Sequence, residues 1–506
     1  MTTGVITELS DSDKDPGFYG KTAFGVGALS VGDIPLKLLL VGLKHATLGS
    51  LTNDTQVVQV FSESDVDTYA GAGGELARMG YAALQIPGIQ LYLAATAPAA
   101  SPTAATMTIV IGGTWTTAGT IKIIVGGVEI SASVLAGDAT TDVATTLNTA
   151  INAKSKCAAK STVASSTATL AWKSATVRGN RGVVFKDLSG APSGLTVTLG
   201  GGGSAVTGDA VTGNGITFTG GAGVDSVTTL LSTLYTGRYN RIVAATHDST
   251  NLALWETQLD AKAGPFEGRM EHAIFGNQGT LSAAAALALT PLNNWRCQMV
   301  HLEASETPIE EVIAVLGAIR TVTEQTTPNV SYSGTVLPGV RPQRDRSKWL
   351  SHSIRVSALN SGVTPLATSE QGEVSVVRSI TTRSQTSAGD PDDRTLDTSD
   401  SVVPDYVRDV LRLYWLSVFK PANPYVREDP SDEEKEPPAG AATPKGWNGA
   451  VTAQLLVLQD QLILTAVELN PPKTVYNAVA KRLASIVPAR RLPLNEQMEV
   501  LVSQIG

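Results

Sequence analysis

Short apolar runs bounded by polar, Gly-rich turns alternate along this chain with stretches whose apolar positions recur every three or four residues. "LKLLLVGL" (36–43), "TQVVQVFS" (55–62) and "GIQLYLAATA" (88–97) predict strands. Between the last two, "GAGGELARMGYAALQ" (71–85) predicts a helix with Leu76, Met79, Tyr81, Ala83 and Leu84 on its apolar face. The same grammar returns later. Helices over 224–239, 249–264, 280–290 and 307–324 alternate with strands over 240–247, 268–276 and 295–303. Pro308 opens the last of these helices, and Glu310 and Glu311 sit in its first turn, where the helix dipole favours them. Such alternation predicts a parallel or mixed sheet covered on both faces.

The pattern is interrupted between 101 and 214, where Thr, Ala, Ser, Gly and Val dominate. Strands over 106–113, 120–133 and 194–203 and one helix over 138–153, capped by Asp138 or Thr141, predict a β-rich inserted domain. Beyond 346 the reading becomes α+β: a strand of about seven residues from Val374 to Ile380, then helices over 402–419 and 449–467. A solvated loop over 427–446, with six carboxylates and four prolines, parts these helices. A helix carries the chain towards Pro493, and a strand over 498–505 ends it with no later element to pair with. The predicted fold class is multidomain α/β and α+β: a mixed-sheet core with flanking helices, an inserted β-rich domain and extended terminal arms. The expected divisions are an arm 1–30, the core in two parts (31–100 and 215–345), the insert 101–214, a C-terminal α+β domain 346–490 and an arm 491–506.

Composition narrows the function. A chain of 506 residues has room for three or four domains, yet only 17% of it is charged. A net charge of −8 argues against a nucleic-acid partner. No run of 18 apolar residues argues for membrane insertion, and "MTTGVITELSDSDKD" lacks the cationic start and apolar core of a signal peptide. Cys157 and Cys297, 140 positions apart, fit neither a disulfide framework nor a zinc site. A soluble chain made in a reducing cytoplasm is expected.

The search for chemistry returns little. "GFYGKT" (17–22) approaches a phosphate loop, but Asp15 stands where the first glycine belongs. "GAGGEL" (71–76) lacks the dinucleotide spacing. None of His45, His247, His272, His301 and His352 is paired at i, i+3 or i, i+4 with another metal ligand on a predicted helix, as a helix site needs, and His247-Asp248 lacks a nucleophile motif. No catalytic, cofactor-binding or metal-binding residue is expected, and no cofactor. Lys481, Arg482, Arg490 and Arg491, four cations within eleven residues, read either as a solvated helix face or as a docking patch for an acidic protein surface.

"SGVTPLATSEQGEVSVVRSITT" (361–382) resembles a segment of contractile phage tail sheath proteins, a Gly/Pro turn leading into a strand. Gly372, Val374, Val376, Arg378, Ile380, Thr381 and Thr382 carry the match. "TQVVQVFSESDVDTYAGAGGELARMGYAAL" (55–84) resembles another part of the family's pattern. "TIKIIVGGVEISASVLAGDATTDVATTLNTAINA" with "VRGNRG" (177–182) resembles the inserted domain of the Mu-like branch. The chain departs from that pattern in its long acidic loop and in its first 30 residues.

The resemblance implies hexameric rings stacked around a tail tube, contracting without nucleotide or metal to drive the tube through a host envelope. It implies tube, baseplate and tail terminator proteins as partners, assembly in the host cytoplasm and residence in the virion tail. Under it the unpaired terminal strand, with Met498, Val500, Leu501 and Val502, reaches a neighbouring subunit, and the arm around Gly4, Val5 and Ile6 is its counterpart. The four C-terminal cations become tube-facing candidates. Rival readings are the sheath of a phage-derived injection particle or bacteriocin, another virion structural protein, and an enzyme, which would need paired carboxylates in a cleft.

Overall fold

The computed structural model describes residues 36–200, 216–431 and 439–496. Strands β1 (Lys37–Gly42), β2 (Val57–Val60) and β3 (Gln90–Ala95) frame two helices, α1 (Glu63–Ala70) and α2 (Glu75–Leu84). α1 has only Val66 and Ala70 buried, so apolar spacing misses it. Its signal is a capping box instead: Ser62 Oγ accepts the Asp65 N–H, and the Asp65 carboxylate accepts the Ser62 N–H.

After β3 the chain leaves the sheet. It forms β4 (Thr106–Gly113), β5 (Gly119–Val125), β6 (Val128–Val134), α3 (Thr140–Ala153), β7 (Ala159–Ala164), β8 (Thr167–Trp172), β9 (Val183–Asp187), β10 (Leu195–Gly200) and β11 (Ile216–Thr217). These make two four-stranded antiparallel sheets, β10-β4-β8-β7 and β11-β9-β5-β6, which share one apolar core with α3. The single strand expected over 120–133 is a hairpin, because Gly126 and Gly127 take φ of 51° and 79°, the geometry of a tight two-residue turn. Neither expected residue caps α3: Asp138 accepts the Leu135 N–H, and the Asp142 carboxylate accepts the Ala139 N–H. Pairing within this unit runs past 214, to bridges between Thr106 and Thr219 and between Thr103 and Ala222.

The chain then builds α4 (Thr228–Leu234), β12 (Arg241–Ala244), α5 (Ser249–Ala263), β13 (His272–Asn277), α6 (Leu281–Leu287), β14 (Cys297–His301), α7 (Ile309–Thr326), α8 (His352–Asn360), β15 (Val363–Thr368) and β16 (Val374–Val376). The main sheet has eight strands in the order β16-β15-β14-β13-β12-β1-β3-β2, parallel throughout except for β2 and β16 at its two edges. α7 lies so close to it that a Cβ on Gly317 would stand 2.4 Å from Val243 Cγ2.

The strand expected from Val374 to Ile380 is only three residues long. Past Val376 one more bond follows β15, from Val377 N–H to Pro365 O, and the backbone then changes partner, with Ile380 bridging to Asp397. Thr382, buried, donates its N–H to Cys297 O and its hydroxyl to Asn294 O. Arg378 and Arg383 pair with Asp397 and Asp392. The segment ties the edge of the sheet to the C-terminal elements.

Those elements are α9 (Thr398–Tyr414), a π-turn over Trp415–Phe419, α10 (Lys420–Ala422), β17 (Tyr425–Val426), β18 (Ala441–Ala442), α11 (Pro444–Asp460), β19 (Leu464–Thr465), β20 (Lys473–Asn477), β21 (Arg482–Ile486) and β22 (Arg490–Arg491). α11 starts and ends earlier than 449–467, because Pro444 takes its first position and Thr443 Oγ1 accepts the Gly446 N–H. The described ends of the acidic stretch are not loop alone, since β17 pairs with β18 in parallel. No helix lies between 473 and 491 among the described residues: β20 and β21 form a hairpin, turned where Asn477 Oδ1 accepts the Val479 and Ala480 N–H groups.

Candidate functional site

In an open parallel sheet the ligand crevice lies at the carboxyl ends of the strands, where the order reverses. Here that is the gap between β1, whose neighbour on one side is β3, and β12, which starts the run towards β15. The chain's own insert covers it. Glu75, first residue of α2, accepts the Leu43 N–H at 2.9 Å just past β1. Arg178, on a 3-10 turn of the insert, donates Nη1 to Glu75 at 2.6 Å and forks the rest of its guanidinium onto Asp225. Ser174 Oγ accepts the Glu75 N–H at 3.0 Å, so the insert also caps α2. Arg78 pairs with Glu311 of α7 and lies over the Trp172 ring of the insert. A Cβ on Gly73 would come within 2.4 Å of Cys157 O, so "GAGGEL" is pressed against protein.

Electrostatics here are governed by burial. It pushes Glu75 up to about 7 against the pull of Arg178, and Glu311 up to about 7 against Arg78. Arg181, whose Nη1 has no hydrogen-bond partner among the described residues, is brought down to about 10 by the same burial. Arg178, held by Glu75 and Asp225, is raised. Its increase and that of Glu75 pull in opposite senses on one contact. The surplus of carboxylates decides in favour of a raised Glu75, since the Arg178 fork is already occupied by Asp225. His247, the residue of the His247-Asp248 pair, is pushed well below its usual range by burial and by Arg181 and Arg178; Asp248 caps α5 through the Asn251 N–H.

The opposite, amino end of the sheet is closed by α9. Asp405 receives both terminal nitrogens of Arg296 and lies 2.9 Å from His272 Nε2. Arg238 pairs with Asp409, Arg241 and Arg320 with Glu324, and Lys262 with Glu271. Ser401, His272 and Asp405 fall in the order of a catalytic triad, with Ser401 Oγ 3.5 Å from His272 Nδ1. The serine hydroxyl instead donates to Thr398 O at 2.8 Å, Arg296 claims the aspartate, and the adjoining cavity is about 30 Å³, room for a water molecule. Burial lowers His272 to about 4, while Arg296 holds Asp405 far below the carboxylate range. This constellation is a structural joint. No group of three potential metal ligands occurs among the described residues, both cysteines are buried thiols, and no described helix is long and apolar enough to cross a membrane.

The four C-terminal cations do not act alike. Lys481 and Arg482 lie at the start of β21, and Arg490 and Arg491 form β22 beyond its far end, so the whole of β21, about 13 Å long, lies along the chain between the two pairs. Lys481 and Arg490 are exposed. Arg491 is turned inward onto Asp400 at 2.7 Å, Asp397 at 3.2 Å and Asn329 at 3.3 Å. The helix-face alternative is therefore overturned, and Arg491 is occupied within its own chain. Around these strands Leu462, Leu469, Val475, Val479 and Ile486 are exposed, and Leu462, Leu464, Leu469 and Leu492 line an open groove. The helix expected before Pro493 does not foresee this apolar surface; the period-2 pattern of "KTVYN" and "RLASI" is the available signal. Gly4, Val5 and Ile6, the strand with Met498, Val500, Leu501 and Val502, and "GFYGKT" lie outside the described residues.

No family model and no curated protein matches the chain. Among solved structures, a sheath tail protein of Desulfitobacterium hafniense aligns with 92% of this chain and 99% of its own, at 12% identity and TM-score 0.46. A sheath tail protein of Listeria innocua aligns with 92% of this chain and 93% of its own, at 10% identity and TM-score 0.47. The sheath complex of an extracellular contractile injection system in its contracted state aligns with 97% of this chain and 98% of its own, at 11% identity and TM-score 0.46.

Proposed function

We propose that the chain is a structural, non-catalytic subunit of a contractile tail sheath that polymerises as stacked hexameric rings around a tail tube. The observation that carries this reading is the C-terminal surface. β19–β22 and β20–β21 are two-stranded sheets, and exposed apolar side chains surround them. A two-stranded ribbon offers unpaired backbone groups along its edges, and it gains most by accepting a strand from another chain. The chain's own ends, with Gly4, Val5 and Ile6 at one and Met498, Val500, Leu501 and Val502 at the other, are the strands to be exchanged between copies. The filled crevice at the carboxyl ends of the main sheet supports a scaffold role. In this reading Lys481, Arg482 and Arg490 face the tube protein, baseplate and terminator proteins bound the polymer, and assembly precedes incorporation into a virion tail.

Negative-stain microscopy of the purified full chain tests this directly. Regular tubes or stacked rings are expected, and truncation after Leu494 is expected to leave a soluble monomer that melts nearly as the parent does. A full-length chain that stays monomeric at high concentration and in the presence of its tube protein overturns the reading.

A further inference from the structure

The insert holds the strands of this chain that most invite pairing with another copy. β4 ("TMTIVIGG"), β8 ("TATLAW") and β10 ("LTVTLG") set Thr against apolar side chains and carry no charge. Uncharged strands of this kind are templates for strand addition wherever an edge is open. The insert's two sheets end in β7 and β10 and in β6 and β11, and its own side chains and helix take those edges.

At β7, Ser161 stands opposite Leu170 of β8, and its remaining backbone groups go to Asn152 of α3. The Asn152 amide donates to Ser161 O at 2.8 Å, and Asn152 Oδ1 accepts the Ser161 N–H at 3.0 Å. The same double contact recurs past β11. There Thr219 and Ala222 bridge to Thr106 and Thr103, while Asn180 donates to Gly221 O at 3.0 Å and accepts the Gly221 N–H at 2.8 Å. At β10 the closing group is an ammonium: Lys186, buried on β9 of the other sheet, donates Nζ to Val197 O at 2.6 Å. α3 itself lies against both β6 and β7. A side-chain carboxamide has the donor and acceptor of a peptide group, so it imitates one rung of a neighbouring strand. An inward-pointing charge and a covering helix are further ways of ending a sheet.

We propose that Asn152, Asn180 and Lys186 close the insert to strand addition, so that the inserts of neighbouring copies meet only through side chains. An incoming strand has to displace Asn152 from both Ser161 groups before it can pair with β7. The closure belongs to the single chain and stands whether or not that chain builds a sheath. Its consequence for a polymer, that strand exchange is confined to the C-terminal ribbons and the chain ends, rests on the sheath reading, which microscopy tests separately.

Thiol cross-linking of the full chain reads each edge. Cys157 and Cys297 are buried, so an added surface thiol reports alone. Val163→Cys places it on β7 and Thr198→Cys on β10, at exposed positions. With a short bismaleimide, Asn152→Ala should raise the yield of cross-linked pairs at position 163 about tenfold, the equivalent of the two modest hydrogen bonds that an incoming strand no longer breaks. Position 198 should not respond to it. Lys186→Met should do the reverse, raising the yield at 198 and leaving 163 unchanged. Unchanged yields throughout overturn the proposal, because the edges were then never guarded. A rise at both positions from either single variant overturns it too, because the insert has then loosened as a whole. Asn152 is exposed near the end of α3, where Ala suits the helix, so should Lys186→Met fail to fold, Asn152→Ala decides alone.

Discussion

At the amino end of the main sheet Asp405 sits between Arg296 and His272, while Arg408 donates to the Ala263 and Gly264 carbonyls. At the carboxyl end Glu75 and Asp225 divide one guanidinium, and Glu310 and Glu311 stand close by. Both seams are buried and built from the same side chains, but their balance is opposite. Where guanidinium groups are in surplus, Asp405 and Glu324 are both lowered, the latter by Arg241 and Arg320 against its burial, whereas Glu271, whose salt-bridge partner is the single ammonium of Lys262, is raised by burial. Where carboxylates are in surplus, burial prevails and Glu75 and Glu311 are raised. Local stoichiometry, not the pairing of any two residues, sets the sign. Each seam also fastens a different part of the chain, α9 at one end and the insert at the other, so the two respond to different conditions.

The largest expected effect breaks the amino-end seam. Asp405→Ala leaves Arg296 and His272 buried against each other and should cost about 3–5 kcal/mol in denaturant unfolding. It should not be relieved by mild acid, because the missing charge is the negative one.

Arg178→Leu attacks the other seam and should cost about 3 kcal/mol near neutral pH. Here acid should help. With its guanidinium gone, Glu75 protonates more readily, so part of the loss should be recovered at about pH 5. Equal losses at both pH values would contradict the contrast between the seams.

In the wild type, lowering pH from about 7 towards 5 should loosen α9 by about 1–2 kcal/mol relative to the insert, because His272, held at about 4 by burial, takes up a proton near its ordinary 6.5 once α9 lifts away, whereas at the insert Glu75 offsets the same pull of His247. Asp405 and Glu324 have lowered values, so the stability they contribute is present above the ordinary carboxylate range and is lost only as pH falls well below it. Region-resolved hydrogen exchange separates the two. Simultaneous loosening of insert and α9 in mild acid would break the comparison.

The smallest effects concern the C-terminal cations. Arg491→Ala removes contacts to Asp397 and Asp400 and should cost about 1–2 kcal/mol, whereas Lys481→Ala should stay within about 0.5 kcal/mol. Conversely, Lys481→Glu with Arg490→Glu should weaken low-salt co-sedimentation with a tube protein, and unchanged co-sedimentation would remove both from the tube-facing set.

Local pattern was enough for most elements of the main sheet. β1, β3 and β12 are mostly apolar and β14 is buried throughout, because a strand covered on both faces has no solvent side to show, and α5 and α7 fall almost where their spacing puts them. α1 was missed because few of its residues are buried, although its capping box stood in the sequence. The turn at Gly126 and Gly127 and the β20–β21 hairpin were missed too, although paired glycines mark the one and alternation the other.

The sequence by itself determined the alternating elements, the compositional break after β3 and the absence of recognisable reaction motifs, because each depends on residues close together along the chain. Only the tertiary structure decided where charge is balanced. Arg178 meets Glu75 across 103 positions and Asp225 across 47, and Asp405 meets Arg296 across 109. Arg491 likewise turns from a surface cation into the partner of Asp397 and Asp400 only because β22 folds back beside α9. Coulomb energy and desolvation depend on distance and burial in space, and neither is a function of separation along the chain.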